Sequence, residues 1–153
     1  MDLGMDKEVQ PDPLFGPLGN LPLVAKLEQH AREQPNKTAC VFLGDGNHEQ
    51  THLTYAELDS RARALAAGLQ EETVPGQRAI LLFSPGLAFL ETFLACLYAG
   101  IVSVPLYPPR NRRHWNRLHC VMSDADASLV LTTSDRLSRI RDWSATSANP
   151  VIL

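Results

Sequence analysis

The sequence predicts an α/β domain with a largely parallel sheet, flanking helices and an N-terminal hairpin. Three observations carry that expectation. From residue 78 onward, short apolar runs alternate with stretches of helical periodicity, the pattern of parallel strands joined by right-handed crossovers. Ala79 to Phe83 is an unbroken apolar run, as in a strand covered on both faces. Leu87, Leu90, Phe93, Leu94 and Leu97 then recur at helical spacing, and Gly100 stands where a left-handed residue closes a helix.

Taken in order, residues 1–20 hold Pro11, Pro13, Pro17, Gly16 and Gly19 without sustained periodicity, and predict a leader or extended arm. Asn20 is placed to cap a helix with Pro22 in its first turn. Leu23, Leu27 and Ala31 repeat at a four-residue interval until Pro35 stops it. Thr38 to Leu43 reads as a strand with Cys40 and Phe42 on one face. Gly44-Asp45-Gly46-Asn47 is a turn cluster, and Gln50 to Leu53 is the return strand of a hairpin. Thr54-Tyr55-Ala56-Glu57 has capping-box form and opens a helix with Leu58, Ala62, Leu65, Ala66 and Leu69 on one side and Asp59, Arg61 and Arg63 mostly on the other.

After Gly76 comes the central strand–helix–strand unit. Ile101 to Val104 is its second strand, and Pro105, Pro108 and Pro109 are expected to stop it. Arg110, Arg112, Arg113, His114 and Arg117 form a basic patch ahead of a helix carrying Trp115, Leu118, Val121 and Met122. Leu129 to Leu131 reads as a further strand, Thr133-Ser134-Asp135 as the cap of a last helix reaching Trp143, and Pro150 to Leu153 as the start of another strand. A chain that stops inside a core strand predicts a piece of a larger domain. Such a piece leaves a sheet edge and apolar helix faces uncovered, which predicts a tendency to aggregate.

With 44% hydrophobic and 20% charged residues in 153, the chain has the material for a packed core, and wholesale disorder is excluded. A net charge of -3 argues against a general nucleic-acid binder. Cys40, Cys96 and Cys120 are odd in number and lie among apolar residues, which predicts reduced core thiols and a cytoplasmic protein. The acidic, proline-rich N-terminus lacks the basic-then-apolar form of a secretory leader. Thr92 to Pro109 is uncharged, but Gly100, Ser103 and three prolines interrupt it, so no membrane span is expected.

Chemistry-bearing motifs are sparse. There is no G-x-x-x-x-G-K-[ST] loop and no G-x-G-x-x-G, and Gly44-x-Gly46 leads into a hairpin. His48 and His52 are surface neighbours at most, and His114 and His119 with Cys120 fit no common zinc spacing. The arginine patch reads first as a solvated helix start, with phosphates or an acidic partner as the functional alternative. Ser84 lies on a strand-to-helix turn, but Phe83-Ser84-Pro85-Gly86 lacks the frame of a nucleophile elbow. No catalytic residue and no metal ligand is assigned.

Two segments resemble a known family. Leu53-Thr54-Tyr55-Ala56-Glu57-Leu58, with the Arg61/Arg63 helix, is similar to the first core motif of the adenylate-forming superfamily, which includes acyl-CoA synthetases, peptide-synthetase adenylation domains and luciferases. Leu97-Tyr98-Ala99-Gly100-Ile101-Val102-Ser103-Val104-Pro105 is similar to the second. The run from Gly86 to Arg110, with Tyr107-Pro108-Pro109 where peptide-synthetase domains typically place an aspartate, resembles the fatty-acyl-AMP ligase branch. The likeness covers residues 20 to 153.

The resemblance implies a partial N-terminal domain of an adenylate-forming enzyme, with residues 21–153 ending before the phosphate loop. The whole enzyme would use ATP and magnesium to convert a fatty acid to an acyl adenylate, then pass the acyl group to the phosphopantetheine thiol of an acyl carrier protein. That role would feed polyketide or lipopeptide synthesis. The family's phosphate loop, adenylate motifs, hinge and catalytic lysine come later in such enzymes, and Lys7, Lys26 and Lys37 are the only lysines here. This segment alone is therefore expected to bind neither ATP nor magnesium. Tyr107 is the one residue placed near the acyl tunnel, with packing as its alternative role. The competing readings are a fragment of an acyl-CoA synthetase or amino-acid adenylation domain, and a truncated, non-catalytic interaction module.

Overall fold

Alternate residues of a single strand divide the core in two. The computed structural model describes residues 22–43, 50–144 and 151–152. In β3 (Arg78–Leu82), Ala79 and Leu81, with Phe83 just beyond, face one side, while Ile80 and Leu82 face the other. That period of two on a strand buried on both faces requires helices above and below.

The elements before β3 are α1 (Pro22–Glu33), the antiparallel pair β1 (Thr38–Leu43) and β2 (Gln50–Thr54), and α2 (Tyr55–Glu72). After it come α3 (Leu87–Ala99), β4 (Val102–Leu106), α4 (Arg112–Asp124), β5 (Leu129–Thr132), α5 (Ser134–Ser144) and β6 (Val151–Ile152). The sheet runs β4-β3-β5-β6 with every neighbouring pair parallel. The α/β class, the parallel sheet, its flanking helices and the N-terminal hairpin are as the sequence predicts. Asn20 and the Gly44 to Asn47 turn lie outside the described residues.

On one face, Ala66 and Leu69 of α2 and Ala95, Cys96 and Ala99 of α3 cover Ala79, Leu81, Leu129 and Leu131. Leu118 and Met122 of α4 and Ile140 of α5 cover Ile80, Leu82 and Val130 on the other, joined by the stacked Trp115–Trp143 pair at 5.2 Å. A third cluster holds Leu27, Leu53, Leu58, Ala62 and Leu94 where α1, the hairpin, α2 and α3 meet. Helix α3 is thus wrapped on two sides. Its small residues seat on the sheet and its leucines pack toward the hairpin, so the single leucine stripe read from spacing is only half of its buried surface.

Local signals close the elements. Thr54 Oγ1 accepts from the Glu57 N–H at 3.3 Å, and the Glu57 carboxylate accepts from the Thr54 N–H at 2.8 Å, a complete capping box. Gly100 ends α3 at φ 72°, and its carbonyl accepts from the Gly76 N–H at 2.8 Å. The chain therefore enters β3 and β4 side by side, as parallel neighbours must.

Four expectations are corrected. Strand β4 continues through Pro105 to Leu106, because β4 is the sheet's edge and a missing N–H on its open side costs no ladder bond. Leu65 is 44% exposed and Leu23 53%, since the helices they sit on meet neighbours along narrower stripes than the periodicity allows. Of the three cysteines only Cys96 is buried, while Cys40 is half-buried and Cys120 exposed, so they are not all core thiols.

Candidate functional site

Open α/β sheets present their ligand crevices at the carboxyl ends of the strands. Here that end is formed by Phe83-Ser84-Pro85 after β3, Tyr107-Pro108-Pro109 after β4, and Thr133 after β5. The Thr132 hydroxyl donates to the Leu82 carbonyl at 3.0 Å and fixes the β5 end against β3.

Two kinds of wall meet at Tyr107. A cleft of about 230 Å³ is lined by Phe83, Pro85, Phe89, Pro105, Leu106 and Tyr107, an apolar set. On its other flank Tyr107 borders a second depression with Ser84, Pro85, Pro108, Arg110, His114 and Arg136, which adds two guanidinium groups to a partly apolar wall. Tyr107 is 79% exposed, because the prolines after it hold the chain away from the sheet. The geometry suits a ligand with an apolar chain and an anionic or polar end.

The family resemblance puts Tyr107 near an acyl tunnel, with packing as the alternative; in the structure it lies between the two depressions. Ser84 also lies here, exposed, with its Oγ accepting from Arg136 Nη2 at 3.1 Å. A guanidinium donor leaves a serine without the general base that nucleophilic attack needs. Arg110 and His114 join the polar flank, whereas His52 sits on the exposed hairpin and His119 with Cys120 further along α4. His48 is outside the described residues. Arg136 was not evident from sequence. Its signal is topological: it stands in the first turn after a strand whose carboxyl end shares the crevice.

Perturbed ionisable groups lie elsewhere. Burial, then the hydrogen bond to Asp59, raises the Tyr98 phenol, and burial raises the Cys96 thiol. Both belong to the packing between helices and sheet. Among the described residues no group of three or more His, Cys, Asp or Glu side chains converges as metal ligands, and no helix is long and apolar enough to cross a membrane. The sequence has no G-x-x-x-x-G-K-[ST] loop, and its lysines are Lys7, Lys26 and Lys37.

Residues 27–152 match the family of AMP-binding enzymes. The chain belongs to that family. Its curated relatives include the medium-chain-fatty-acid–[acyl-carrier-protein] ligase JamA of Moorena producens, 37% identical over 78% of this chain and 21% of the relative. The long-chain-fatty-acid–AMP ligase FadD32 of Mycolicibacterium smegmatis is 35% identical over 81% of this chain and 20% of its own length. A solved fatty acyl-adenylate ligase from L. pneumophila, in complex with acyl adenylate and pyrophosphate, superposes with a TM-score of 0.74 at 34% identity, covering 86% of this chain and 22% of that one. Both of these curated relatives are fatty-acid ligases by name. The chain spans about a fifth of the length of the curated relatives it matches.

Proposed function

We propose that this chain is the N-terminal portion of a ligase that activates a fatty acid with ATP and magnesium to an acyl adenylate, releasing pyrophosphate, and then passes the acyl group to a carrier-protein phosphopantetheine thiol, releasing AMP. Residues 1–20 are then a leader or arm and 21–153 the first part of the adenylation domain. The observation that carries the reading is the 37% identity to a relative whose name specifies both a fatty acid and an acyl carrier protein. A place at the head of polyketide or lipopeptide synthesis, in the cytoplasm, follows from the same reading.

In this assignment the present residues supply scaffold and one wall of the acid's site. The apolar cleft beside Phe83, Phe89 and Tyr107 receives part of the acyl chain. Attack of the carboxylate on the α-phosphate depends mainly on positioning and charge neutralisation, and the groups that supply those for ATP lie outside these 153 residues. The test is ATP–pyrophosphate exchange with a series of fatty acids. Exchange is expected from the full reading frame and not from residues 1–153 alone. Exchange by the short chain, or none by the full one with any fatty acid, overturns the proposal.

A further inference from the structure

The arginines of this chain are not distributed evenly between paired and unpaired states. Arg32, Arg61, Arg63, Arg78 and Arg136 each reach a carboxylate. Arg110, Arg112, Arg113, Arg117 and Arg139 have no carboxylate partner among the described residues, and all five are exposed. Three of them stand beside Tyr107-Pro108-Pro109, and Arg112 and Arg113 open α4 directly after Arg110. Arg110 and Arg117 border the depressions beside Tyr107, and Arg139 lies with Trp115 against Pro108 and Pro109.

Local stability does not explain this placement. Helix α4 is capped by Asn111, whose side chain accepts from the His114 N–H at 3.0 Å, a cap that needs no arginine. Arg112 and Arg113 occupy its first turn, where the helix dipole favours acids, and Asp124 occupies its last residue, where it favours bases. The charge order of α4 therefore opposes its dipole at both ends. Residues that break a local rule without a compensating contact are expected at functional sites.

From this geometry we infer that the arginine shelf is the docking surface for an acidic carrier protein. The inference rests on the ligase reading above and adds where the acceptor binds. Charge complementarity selects the partner: a concentrated cationic shelf on a chain of net charge -3 attracts an acidic surface at long range. Its position selects the role. Arg112 and Arg113 follow Arg110, which borders the polar depression beside Tyr107, so a partner seated on them presents its thiol arm to the site from that flank. Nucleic acid is the disfavoured occupant, because the rest of the chain carries the opposite charge.

The test compares full-length protein with its Arg112→Glu/Arg113→Glu variant, binding an acidic acyl carrier protein that bears its phosphopantetheine arm, at low and high salt. The variant is expected to bind about tenfold or more weakly, with a shallower salt dependence. Pyrophosphate exchange is expected to stay at the wild-type rate. The Tm is expected to hold or rise, since two acids now face the helix dipole. Arg112→Gln/Arg113→Gln serves as the milder variant should the reversal fold poorly. Unchanged affinity with intact exchange overturns the docking surface alone. Absence of exchange in the wild type overturns the ligase reading instead. Tighter binding of an RNA oligomer than of the carrier protein also overturns the docking assignment.

Discussion

The Tyr98 hydroxyl donates a hydrogen bond to the Asp59 carboxylate, tying the end of α3 to the start of α2. Arg63 lies 4.6 Å over the Tyr98 ring and donates to Asp59 at 2.9 Å and to Glu28 of α1 at 2.6 Å. Three helices are joined through one phenol and one guanidinium. Tyr98→Phe keeps the ring, and with it the cation–π contact, but leaves Asp59 one donor short. Chemical denaturation is expected to show a loss of about 1 kcal/mol, at the lower end for a bond to a charged acceptor because the site is partly wet.

The same contact sets an alkaline limit. Burial first, and Asp59 second, hold the Tyr98 phenol protonated well above the ordinary tyrosine range. A folded-state value raised above the unfolded one means the contribution is complete below about pH 10, the unfolded value. It declines as pH rises further. Wild-type stability is therefore expected to fall above pH 10 more steeply than that of Tyr98→Phe, and parallel slopes in urea titrations would reject the assignment.

At the start of α2 the sign reverses. The Thr54 backbone N–H and hydroxyl, the larger influences, lower the Glu57 carboxyl below its ordinary value. A depressed folded value gives stability that is present above the unfolded value and is lost as pH falls through the folded one. Thr54→Ala removes the cap and is expected to cost about 1 kcal/mol at neutral pH. Its penalty shrinks in acid as Glu57 is protonated. A penalty that stays constant down to pH 3 would contradict the capping box as the cause.

That box was legible in the sequence because both partners lie within one turn. The central strand–helix–strand unit was legible for a similar reason, since an apolar run, a periodic run and Gly100 follow one another directly. What periodicity could not show is where a helix's neighbours stop. Leu65 sits at core spacing yet faces solvent, because α2 meets α3 along a stripe that passes through Leu58, Ala62, Ala66 and Leu69. The strand order was equally hidden, and with it the tolerance of β4 for Pro105. The candidate site was half visible: Tyr107 and the basic patch are contiguous in sequence, whereas Arg136 reaches Ser84 across 52 residues and only the fold brings them together.

Gly100 offers a backbone test of the crossover. Its φ of 72° is left-handed, and a Cβ there would stand 3.2 Å from the Pro75 Cβ. Gly100→Ala adds a left-handed penalty of about 1–2 kcal/mol, and crowding against the proline adds to it. The urea midpoint is expected to fall with the slope unchanged, as for loss of native stability without a change in the denatured state. A neutral substitution would mean that the helix end and the β3 approach relax independently, contrary to the Gly76 to Gly100 hydrogen bond.

Tyr107 separates a binding role from a packing role cleanly, because so much of it is exposed. A side chain 79% open to solvent contributes little to the core, so Tyr107→Ala is expected to shift stability by no more than about 0.5 kcal/mol. If its ring forms a wall of the acyl cleft, the same variant in the full-length protein loses apolar contact with the acid. Burial of part of an aromatic ring is worth about 1–2 kcal/mol, which corresponds to a rise in KM for the fatty acid of about tenfold. Tyr107→Phe retains the ring and is expected to restore the wild-type KM. The apolar face is shared with Phe83 and Phe89, so the loss should grow with acyl chain length. Equal KM values for all three proteins across a chain-length series would make Tyr107 a surface residue and remove it from the site.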